Sequence, residues 1–449
     1  MTGRFVGERV VVVGAGVAGT SAARVLSAEG ASVLVTEARP SAEIPTVAGL
    51  QALGVEVRTG GHDPRHLDGA TLVVVGPGVP PDADPVRWAR DRALPVWGEM
   101  EFGARLARGP YLAVTGTNGK TTVTSMLEGC LREAGHDALA CGNIGRPFPE
   151  AALEDREVLV VEVSSFQLAL QESFHPSISV LLNVAPDHLD WHGSFEDYVA
   201  AKRRVYARQS GTDFHIGNRD DVAAAAISEA APCEVRWFTV GGPAAGEVGY
   251  EGDELIARVD GVHRLGRIAP GSAGYREDAA AAAAAALAFG VEPAAAAAAL
   301  ASFRPASHRG EVVATLDGVG FVDNSKATNV HAAAAAIDAA GSSVLIAGGR
   351  AKGTDLSSLR DHAGRLRAVV AIGEAAADVV RVFDGVVPVS TAGSIEDAVR
   401  DAFAAAAPGD TVLLAPACAS WDQFRDYADR GDRFVAAARS LRAEAGARG

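Results

Sequence analysis

The residues best suited to chemistry form a glycine-rich loop, TGTNGKTT, at positions 115–122. Gly116 and Gly119 free the backbone to wrap around phosphate oxygens, because glycine has no side chain to obstruct them. Lys120 can neutralise β- and γ-phosphates, and the hydroxyl group of Thr121 can bind Mg2+. The segment therefore predicts a binding site for a nucleoside triphosphate.

A second glycine-rich turn, GAGVAG at positions 14–19, lies between the first predicted strand and the first predicted helix. Such a turn lets a phosphate approach the helix N-terminus, where free amides favour anions. A dehydrogenase would use Glu37, at the end of the second strand, to bind a ribose. A nucleotide-sugar diphosphate would use the same turn, and a plain βα turn of an α/β fold is the third interpretation.

Acidic and basic side chains follow two further predicted strands. Glu162 follows the apolar run at 158–161, where phosphate-loop domains place a magnesium-linked acid. The segment NVAPDHLDWHG, at 183–193, suits either a metallohydrolase cluster or a helix start held by mutual hydrogen bonds. A zinc hydrolase would not need a phosphate loop, which disfavours the first alternative. Taken alone, Lys202 would be a solvated surface lysine.

Polar segments also follow the strands predicted in the last third of the chain, where α/β sheets carry their ligand loops. These segments are HRGE at 308–311, DNSKATN at 323–329, GGRAKG at 348–353 and APACASWDQF at 415–424. Arg309, Lys326 and Lys352 are cationic in an acidic chain, which indicates anionic substrates.

Strands and helices alternate almost throughout, which is typical of an α/β fold. The predicted strands lie at 10–13, 32–36, 72–75, 111–114, 158–161, 178–182, 320–322, 344–347, 369–372 and 412–414. Short alternating runs between 233 and 270 predict a small antiparallel excursion. Changes in the sequence pattern, at a proline-bearing stretch near residue 97 and at Pro305, predict three domains at 1–98, 99–304 and 305–449.

Composition narrows the class of protein. The chain of 449 residues is long enough to form several hydrophobic cores. Its composition, 48% hydrophobic and 22% charged, excludes a disordered protein. A net charge of −15 argues against nucleic acid or an anionic membrane as partner. Four distant cysteines fit neither a disulfide scaffold nor a zinc site. With no signal peptide and no stretch of about 20 apolar residues, we expect a cytoplasmic protein without membrane insertion.

Taken together and in this order, the motifs resemble those of the Mur ligases of peptidoglycan synthesis. The loop at 115–122, EVSSFQL at 162–168, the segment at 183–193 and Lys202 resemble that family's central ATPase domain. The segments of the last third are similar to those of members that add glutamate to UDP-N-acetylmuramoyl-L-alanine. Folylpolyglutamate synthase shares the loop type, but it lacks a leading nucleotide-sugar domain.

The resemblance implies an α/β fold of three domains. The N-terminal and C-terminal domains would be Rossmann-like, and the central domain would be a phosphate-loop ATPase with a parallel sheet. The resemblance also implies an ATP-dependent ligase that adds D-glutamate to UDP-N-acetylmuramoyl-L-alanine through an acyl phosphate, with Mg2+ as cofactor. We expect a monomer whose third domain closes on the second.

The resemblance assigns roles to the matching positions. The UDP-sugar would contact Gly14, Gly16, Gly19, Glu37, Ala38, Arg39, Gly76, Gly78, Asn143, Gln167 and His188. ATP would contact Gly116, Thr117, Asn118, Gly119, Lys120, Thr121, Thr122, Arg309, Asn324 and Lys326. The catalytic groups would be Lys120, His188, Lys202 and Lys326. The amino acid would contact Thr328, Lys352, Ser420 and Tyr427. Mg2+ would be held by Thr121, Glu162, His188 and Lys202, the last as a carbamate.

The chain departs from the family pattern at two points. The family usually has a His-Asn pair, followed by a second asparagine, where this chain reads AGYRED at 273–278. It also usually has aspartate where this chain has Asn324. Both departures fall where adenosine or its phosphates would bind.

Three alternatives to this activity stay open at this point. The first is a related ligase that uses L-glutamate or another amino acid. The second is a nicotinamide-dependent oxidoreductase built on the first domain, which leaves the loop at 115–122 and Lys202 unexplained. The third is a non-catalytic nucleotide sensor.

Overall fold

A computed structural model describes residues 3–268, 273–351, 353 and 355–446. The strands are β1 Arg9–Val13, β2 Ser32–Thr36, β3 Glu56–Arg58, β4 Leu72–Val75, β5 Val96–Gly98, β6 Tyr111–Thr115, β7 Ala138–Gly142, β8 Val158–Glu162, β9 Ile178–Leu181, β10 Phe214–Asn218, β11 Glu234–Phe238, β12 Glu247–Glu251, β13 Glu254–Ala257, β14 His263–Arg267, β15 Glu311–Leu316, β16 Val319–Asp323, β17 Ser343–Gly348, β18 Leu366–Ile372, β19 Val389–Thr391 and β20 Thr411–Ala417.

Helices alternate with these strands, which confirms the predicted α/β class. They are α1 Val17–Ala28, α2 Val47–Ala52, α3 Asp84–Asp91, α4 Glu99–Leu106, α5 Lys120–Glu133, α6 Phe148–Ala151, α7 Ser165–Leu168, α8 Leu189–His192, α9 Phe195–Arg203, α10 Val222–Ser228, α11 Ala273–Phe289, α12 Pro293–Ser302, α13 Val330–Ala340, α14 Ala376–Phe383, α15 Ile395–Ala405 and α16 Tyr427–Gly446. None of the helices within the described ranges combines the length and hydropathy needed to cross a membrane.

The first sheet is parallel and has the strand order β3-β2-β1-β4-β5. This order agrees with that of a Rossmann-like sheet, as predicted. The central strand β1 carries four consecutive valines that are fully buried. Such an unbroken apolar run is typical of a parallel strand covered on both faces.

The second sheet has nine strands in the order β14-β13-β12-β11-β10-β9-β6-β8-β7. Strands β6 to β12 pair in parallel, and only β13 and β14 add antiparallel pairs. The antiparallel excursion predicted from residue 233 therefore begins later, because β11 pairs in parallel with β10. Strand pairing depends on distant partners, which the local alternation of residues does not reveal.

The third sheet has the order β15-β16-β20-β17-β18-β19, parallel except for the edge strand β15. Apolar clusters cover its two faces, with α13 and α14 on one side and α15 and α16 on the other. The described chain forms two compact units. One holds the first two sheets, and the other holds the third sheet together with residues 185–195.

Candidate functional site

The phosphate loop lies between β6 and α5, as the sequence predicts. Gly119 is the N-cap of α5 and has a left-handed φ of +83°. This backbone conformation favours glycine, and an added Cβ atom would also displace the Asp278 carboxylate, since it would lie 2.2 Å from Oδ1. The free amides of the first turn of α5 then face the loop and favour an anion there.

Two lysines converge on this loop. Lys120 Nζ donates hydrogen bonds to the carbonyl oxygens of Gly116, at 2.9 Å, and Thr117, at 2.8 Å. Lys202 Nζ donates to the same Gly116 oxygen at 2.7 Å and lies 4.7 Å from the centre of the Tyr198 ring. Lys202 is only 1% exposed, which contradicts the interpretation of an isolated surface lysine. Burial of a lysine is costly and indicates a specific role.

Two residues to which the sequence assigned no role shape the loop. Asn183 accepts the Thr117 amide on its carbonyl oxygen at 2.9 Å and the Asn118 amide on Oδ1 at 2.8 Å. The hydroxyl groups of Thr117 and Tyr198 lie 2.8 Å apart. Tyr198 precedes Lys202 by four residues on α9, so both side chains lie on one helix face. That spacing was the one available signal.

Glu162 ends β8 and is 2% exposed. Its Oε1 atom accepts a hydrogen bond from Asn143 Nδ2 at 2.8 Å, whereas Oε2 is buried without a hydrogen-bond partner in the described structure. A buried carboxylate oxygen without a donor is costly, and Mg2+ would satisfy it. Glu162 therefore suits a magnesium ion whose shell is completed by water and phosphate oxygens.

A metallohydrolase cluster was the other interpretation of the histidine-rich segment. Nowhere in the described ranges do three His, Cys, Asp or Glu side chains lie together as metal ligands. Mg2+ needs fewer protein ligands than this, because it keeps water and substrate oxygens in its shell.

A cavity of about 650 Å³ lies beside the glycine turn that precedes α1. It brings together ten of the residues predicted to bind a UDP-sugar. They are Gly14, Gly16, Gly19, Glu37, Ala38, Arg39, Gly76, Gly78, Asn143 and Gln167. The glycine turns form one wall, and the two side-chain amides belong to another. His188, the eleventh predicted residue, is not part of this lining.

Glu37 is engaged by protein donors. Its Oε2 atom accepts the Ala15 amide at 2.7 Å and Arg39 Nη2 at 3.0 Å, and Oε1 accepts the Arg39 amide at 3.0 Å and Nε at 3.1 Å. Burial alone would raise the pKa of Glu37, but these hydrogen bonds lower it to about 2. All four lone-pair positions are used, so the carboxylate has none left for a ribose hydroxyl. This weakens the dehydrogenase alternative.

His62 also lines the cavity, and the sequence analysis missed it. Its Nδ1 atom lies 2.9 Å from the hydroxyl of Thr36, at the end of β2. Burial lowers the pKa of His62, so the ring is neutral at physiological pH. No local motif marks it, because a Gly-Gly-His turn is also a common loop sequence.

In the second unit, His188 has a left-handed φ of +54° and caps α8. Its amide donates to Asp187 Oδ1 at 2.9 Å, and Asp187 Oδ2 accepts Asn329 Nδ2 at 3.1 Å. Asn329 in turn caps α13. The histidine-rich segment is thereby joined to the DNSKATN segment.

The strand-end loops of the third sheet are held together by Arg430, which is fully buried. Its guanidinium donates to the carbonyl oxygens of Ser325, at 2.9 Å, and Cys418, at 3.1 Å. Burial lowers its pKa to about 10, so it stays a cation. Lys326 Nζ lies 3.9 Å from the ring centre of Tyr427, which brings a predicted ATP residue beside a predicted amino-acid residue. Arg430 carried no signal in the sequence.

The remaining predicted residues of this unit lie on or beside the same loops. Ser420 is buried, whereas Arg309, Asn324 and Thr328 are partly buried. Lys352 lies outside the described residues.

At the Asn324 departure, the carboxylate stands one position earlier. Asp323 is fully buried, accepts the Ser325 amide at 3.0 Å and lies 2.6 Å from His308 Nδ1. At the other departure, Asp278 contacts Gly119 of the phosphate loop. The first departure therefore lies at the start of the DNSKATN segment, where Asp323 is already hydrogen-bonded by protein groups. The second lies beside the phosphate loop.

Three family models match successive parts of the chain. They are the Mur ligase MurD-like N-terminal domain at residues 8–98, the Mur ligase middle domain at 114–260, and the Mur ligase glutamate ligase domain at 308–418. Each match contains one of the three sheets or most of it.

Solved structures with the same fold include the pseudomurein peptide ligase type C of Methanothermus fervidus. Its TM-score is 0.59 at 18% identity, over 96% of this chain and 99% of that one. The MurF ligase of Thermotoga maritima in complex with ADP has a TM-score of 0.59 at 17% identity, over 91% and 94%. At these identities the likeness concerns the fold alone.

Curated relatives are much more similar. A UDP-N-acetylmuramoylalanine–D-glutamate ligase of Frankia casuarinae is 46% identical over 97% of this chain and 95% of that protein. Proteins of the same name from Acidobacterium capsulatum and Thermobifida fusca are 42% and 43% identical, over 95% and 98% of this chain and 95% and 99% of those proteins. Identity of this degree over nearly the whole length places the chain, plainly, in the Mur ligase family.

Proposed function

We propose that this chain is an ATP-dependent ligase that joins D-glutamate to the alanine carboxylate of UDP-N-acetylmuramoyl-L-alanine. One observation carries the proposal most directly. A phosphate loop with two converging lysines and a cavity lined by glycine turns and two amides occur in the same compact unit. The two sites suit a triphosphate and a nucleotide-sugar, and the names of the relatives support the nucleotide-sugar as a substrate.

The cavity would take the UDP-sugar. Free amides at the start of α1 favour a diphosphate, because an α-helix N-terminus carries partial positive charge. Val17, Ala18 and Gly19 begin that helix and line the cavity. Asn143 and Gln167 would then face the muramoyl-alanine part, and His188 would join them there.

The phosphate loop would activate the carboxylate. A carboxylate oxygen of the terminal alanine attacks the γ-phosphorus of ATP, the bond from that phosphorus to the β-γ bridging oxygen breaks, and ADP leaves. Two anions must approach each other in this step, so positive charge between them lowers the barrier. Lys120 would supply that charge by leaving its carbonyl acceptors for the phosphate oxygens.

The second step forms the amide. The amino group of glutamate attacks the acyl carbon, the bond from carbon to the phosphate oxygen breaks, the nitrogen loses a proton, and inorganic phosphate leaves. The pocket for glutamate would comprise Thr328, Lys352, Ser420 and Tyr427. A cation and hydroxyl donors suit the side-chain carboxylate of this amino acid.

Mg2+ would be held by Thr121 and Glu162, with His188 and Lys202 completing the set. When bound, it would neutralise the phosphate charge. As an ammonium group, Lys202 shares an acceptor with Lys120, and two like charges in a buried place repel each other. A carbamate on Lys202 would remove that repulsion and supply oxygen donors.

We also propose domain boundaries near residues 98 and 304, a cytoplasmic location and a monomeric state. The boundaries are supported by the separate sheets, β1–β5, β6–β14 and β15–β20. The acidic composition supports the other two.

An omission assay tests the proposal. Release of ADP should require UDP-N-acetylmuramoyl-L-alanine, D-glutamate and Mg2+ together, and it should fall to background when any one is left out. L-glutamate and meso-diaminopimelate serve as matched amino acids. Turnover without the UDP-sugar would contradict the proposal, and so would a preference for either alternative amino acid.

A further inference from the structure

Glu99 is a buried carboxyl group to which nothing above gives a role. It is the first residue of α4 and is 2% exposed. Its Oε2 atom accepts a hydrogen bond from Gln167 Nε2 at 3.0 Å, and its Oε1 atom has no hydrogen-bond partner within the described structure. A buried acid is usually paired with a cation or fully hydrogen-bonded. Glu99 is neither, so core packing alone explains it poorly.

The partner of Glu99 lines the cavity. Gln167 uses its Oε1 atom to accept the Ser164 amide and the Ser164 hydroxyl, both at 2.9 Å. Because two donors fix the oxygen, the nitrogen of the same amide must point to Glu99 and the cavity. One Nε2 hydrogen goes to Glu99, and in the described structure the other has no protein acceptor. That second hydrogen is available to a ligand.

A neighbouring acid shows what a purely structural carboxylate looks like here. Glu101 lies on the same helix and is fully buried. Its oxygens accept the amides of Glu172, at 2.8 Å, and Ser173, at 2.7 Å, together with the Ser173 hydroxyl, at 2.6 Å, and Arg105 Nε, at 2.6 Å. Glu101 is thus saturated and does not line the cavity. Glu99 is not saturated, and it is bonded to Gln167, which does line the cavity.

We propose that Glu99 is a positioning residue that holds the Gln167 amide in the orientation in which it binds the muramoyl-alanine end of the UDP-sugar. The inference rests on the proposed function, because that assigns the cavity to this substrate. It deepens the function by adding a residue that shapes the affinity for one substrate without touching it.

The surroundings of Glu99 contain no compensating charge. The groups that face it are the Gln167 amide, the backbone amide of Phe148 on α6 and the thiol of Cys141 on β7. Burial raises the pKa of the Cys141 thiol far above neutral, so it carries no charge. Burial likewise raises the pKa of Glu99 to about 7, and the Gln167 amide and the nearby backbone amide of Phe148 only partly oppose this rise. Glu99 therefore changes its charge near neutral pH, and its ionised form is the better acceptor for Gln167.

Steady-state kinetics of four variants test the proposal. Glu99→Ala should raise the KM for UDP-N-acetylmuramoyl-L-alanine by about tenfold and change the KM for ATP less than about twofold. Glu99→Gln should stay within about threefold of wild type, because its amide oxygen can accept the same N–H. Glu101→Gln should leave this KM unchanged, whatever it does to stability. In a Gln167→Ala background, Glu99→Ala should add no further increase, since its effect passes through Gln167.

Equal losses in every kinetic constant, or full additivity with Gln167→Ala, would overturn the proposal. If Glu99→Ala does not fold, the pH profile of Glu99→Gln decides. In the wild type, the KM for the UDP-sugar should fall as pH rises from 6 to 8, and in Glu99→Gln that fall should disappear. Identical profiles would overturn the proposal as well.

Calorimetric titration of wild-type protein with UDP-N-acetylmuramoyl-L-alanine separates this proposal from the broader one. A wild type that does not bind this compound refutes the proposed function itself. A wild type that binds it no more tightly than Glu99→Ala refutes only the role of Glu99.

Discussion

At the scale of single residues, the choice between lysine and arginine is informative. The chain has four lysines, Lys120, Lys202, Lys326 and Lys352, and each lies in a segment predicted to bind substrate or react. Arginine supplies the other positive charges of this acidic protein. Lysine offers a compact ammonium group and an amine that can be covalently modified, whereas guanidinium offers neither. The distribution supports a chemical role for each of the four.

Lys120→Ala should abolish ATP turnover and leave the fold intact. The lysine is partly buried, and its ammonium group contacts only loop carbonyls among the bonds described above. Its removal therefore takes away the positive charge that stabilises the transition state. Turnover and the midpoint of thermal unfolding should be measured together. Near-normal turnover would show that the loop does not act on the phosphates.

Lys202 should carry a carbamate in the active enzyme. Carbon-13 NMR of protein equilibrated with labelled bicarbonate should show one carbamate signal, which Lys202→Ala lacks. Lys202→Ala should be inactive and regain part of its activity with added short carboxylates, which replace the missing oxygens. Lys202→Arg keeps the positive charge without the reactive amine and serves as the control. If either variant were fully active without additives, the carbamate would be unnecessary.

Local patterns predicted the residues at strand ends better than the residues that support them. Lys120 and Glu162 stand in motifs whose spacing follows from phosphate chemistry, so sequence could nominate them. Asn183, Arg430 and Glu99 act through partners 65, 105 and 68 positions away. Contacts over such separations exist only in the folded chain, and no local pattern encodes them.

At the scale of elements, the start of α5 decides where phosphates can lie. The helix is anchored by a buried apolar face that comprises Val123, Met126, Leu127, Cys130 and Leu131. Its first turn needs a residue with positive φ and no side chain, which Gly119 provides. The same helix contains Gly129, whose added Cβ atom would meet nothing within 4 Å. The two glycines make a matched pair.

Gly119→Ala should destabilise the protein by about 1–2 kcal/mol or more and strongly weaken ATP binding, because the left-handed backbone and Asp278 both oppose a methyl group. Gly129→Ala should stabilise it by about 0.5–1 kcal/mol and leave ATP binding unchanged, because alanine favours a helix interior. Urea unfolding and nucleotide titration of both variants check this. Effects of the same sign would mean that the loop geometry is misjudged.

At the scale of the whole molecule, a protein of net charge −15 has to bind substrates that are themselves anions. It does so with helix N-termini, glycine turns and a few local cations, which act at short range and are little affected by the overall charge. Apolar runs predicted the three inner strands of the first sheet, β1, β2 and β4, but not its short edge strands β3 and β5. The parallel pairing of β11 was not predicted, because short amphipathic strands suit either direction.

Two buried acids on α4 should affect the pH dependence of stability differently. Folding raises the pKa of Glu99 to about 7, so the folded protein binds this proton more tightly than the unfolded chain does. The protein therefore loses up to about 3 kcal/mol of stability as pH rises from 4.5 to 7. Relative to wild type, Glu99→Gln should therefore gain stability between pH 5 and pH 8. The measurement is the free energy of unfolding in urea at both pH values.

Glu101 is the control for that measurement. Burial alone would raise the pKa of Glu101, but hydrogen bonds from Ser173 and Glu172 lower it. The contribution of Glu101 to stability is therefore present above the ordinary pKa range of a glutamate and is lost as pH falls through and below that range. Because pH 5 and pH 8 both lie above that range, the destabilisation caused by Glu101→Gln should be nearly the same at the two pH values. Parallel pH dependences in the two variants would contradict the assigned environments.

We expect this molecule to transfer the γ-phosphoryl group of ATP to the alanine carboxylate. Isotope transfer tests this most directly, using UDP-N-acetylmuramoyl-L-alanine with oxygen-18 in both carboxylate oxygens. Mass spectrometry should find one oxygen-18 in each inorganic phosphate released and one left in the new amide. Amide formation with unlabelled phosphate would contradict the claim, as would label appearing in AMP.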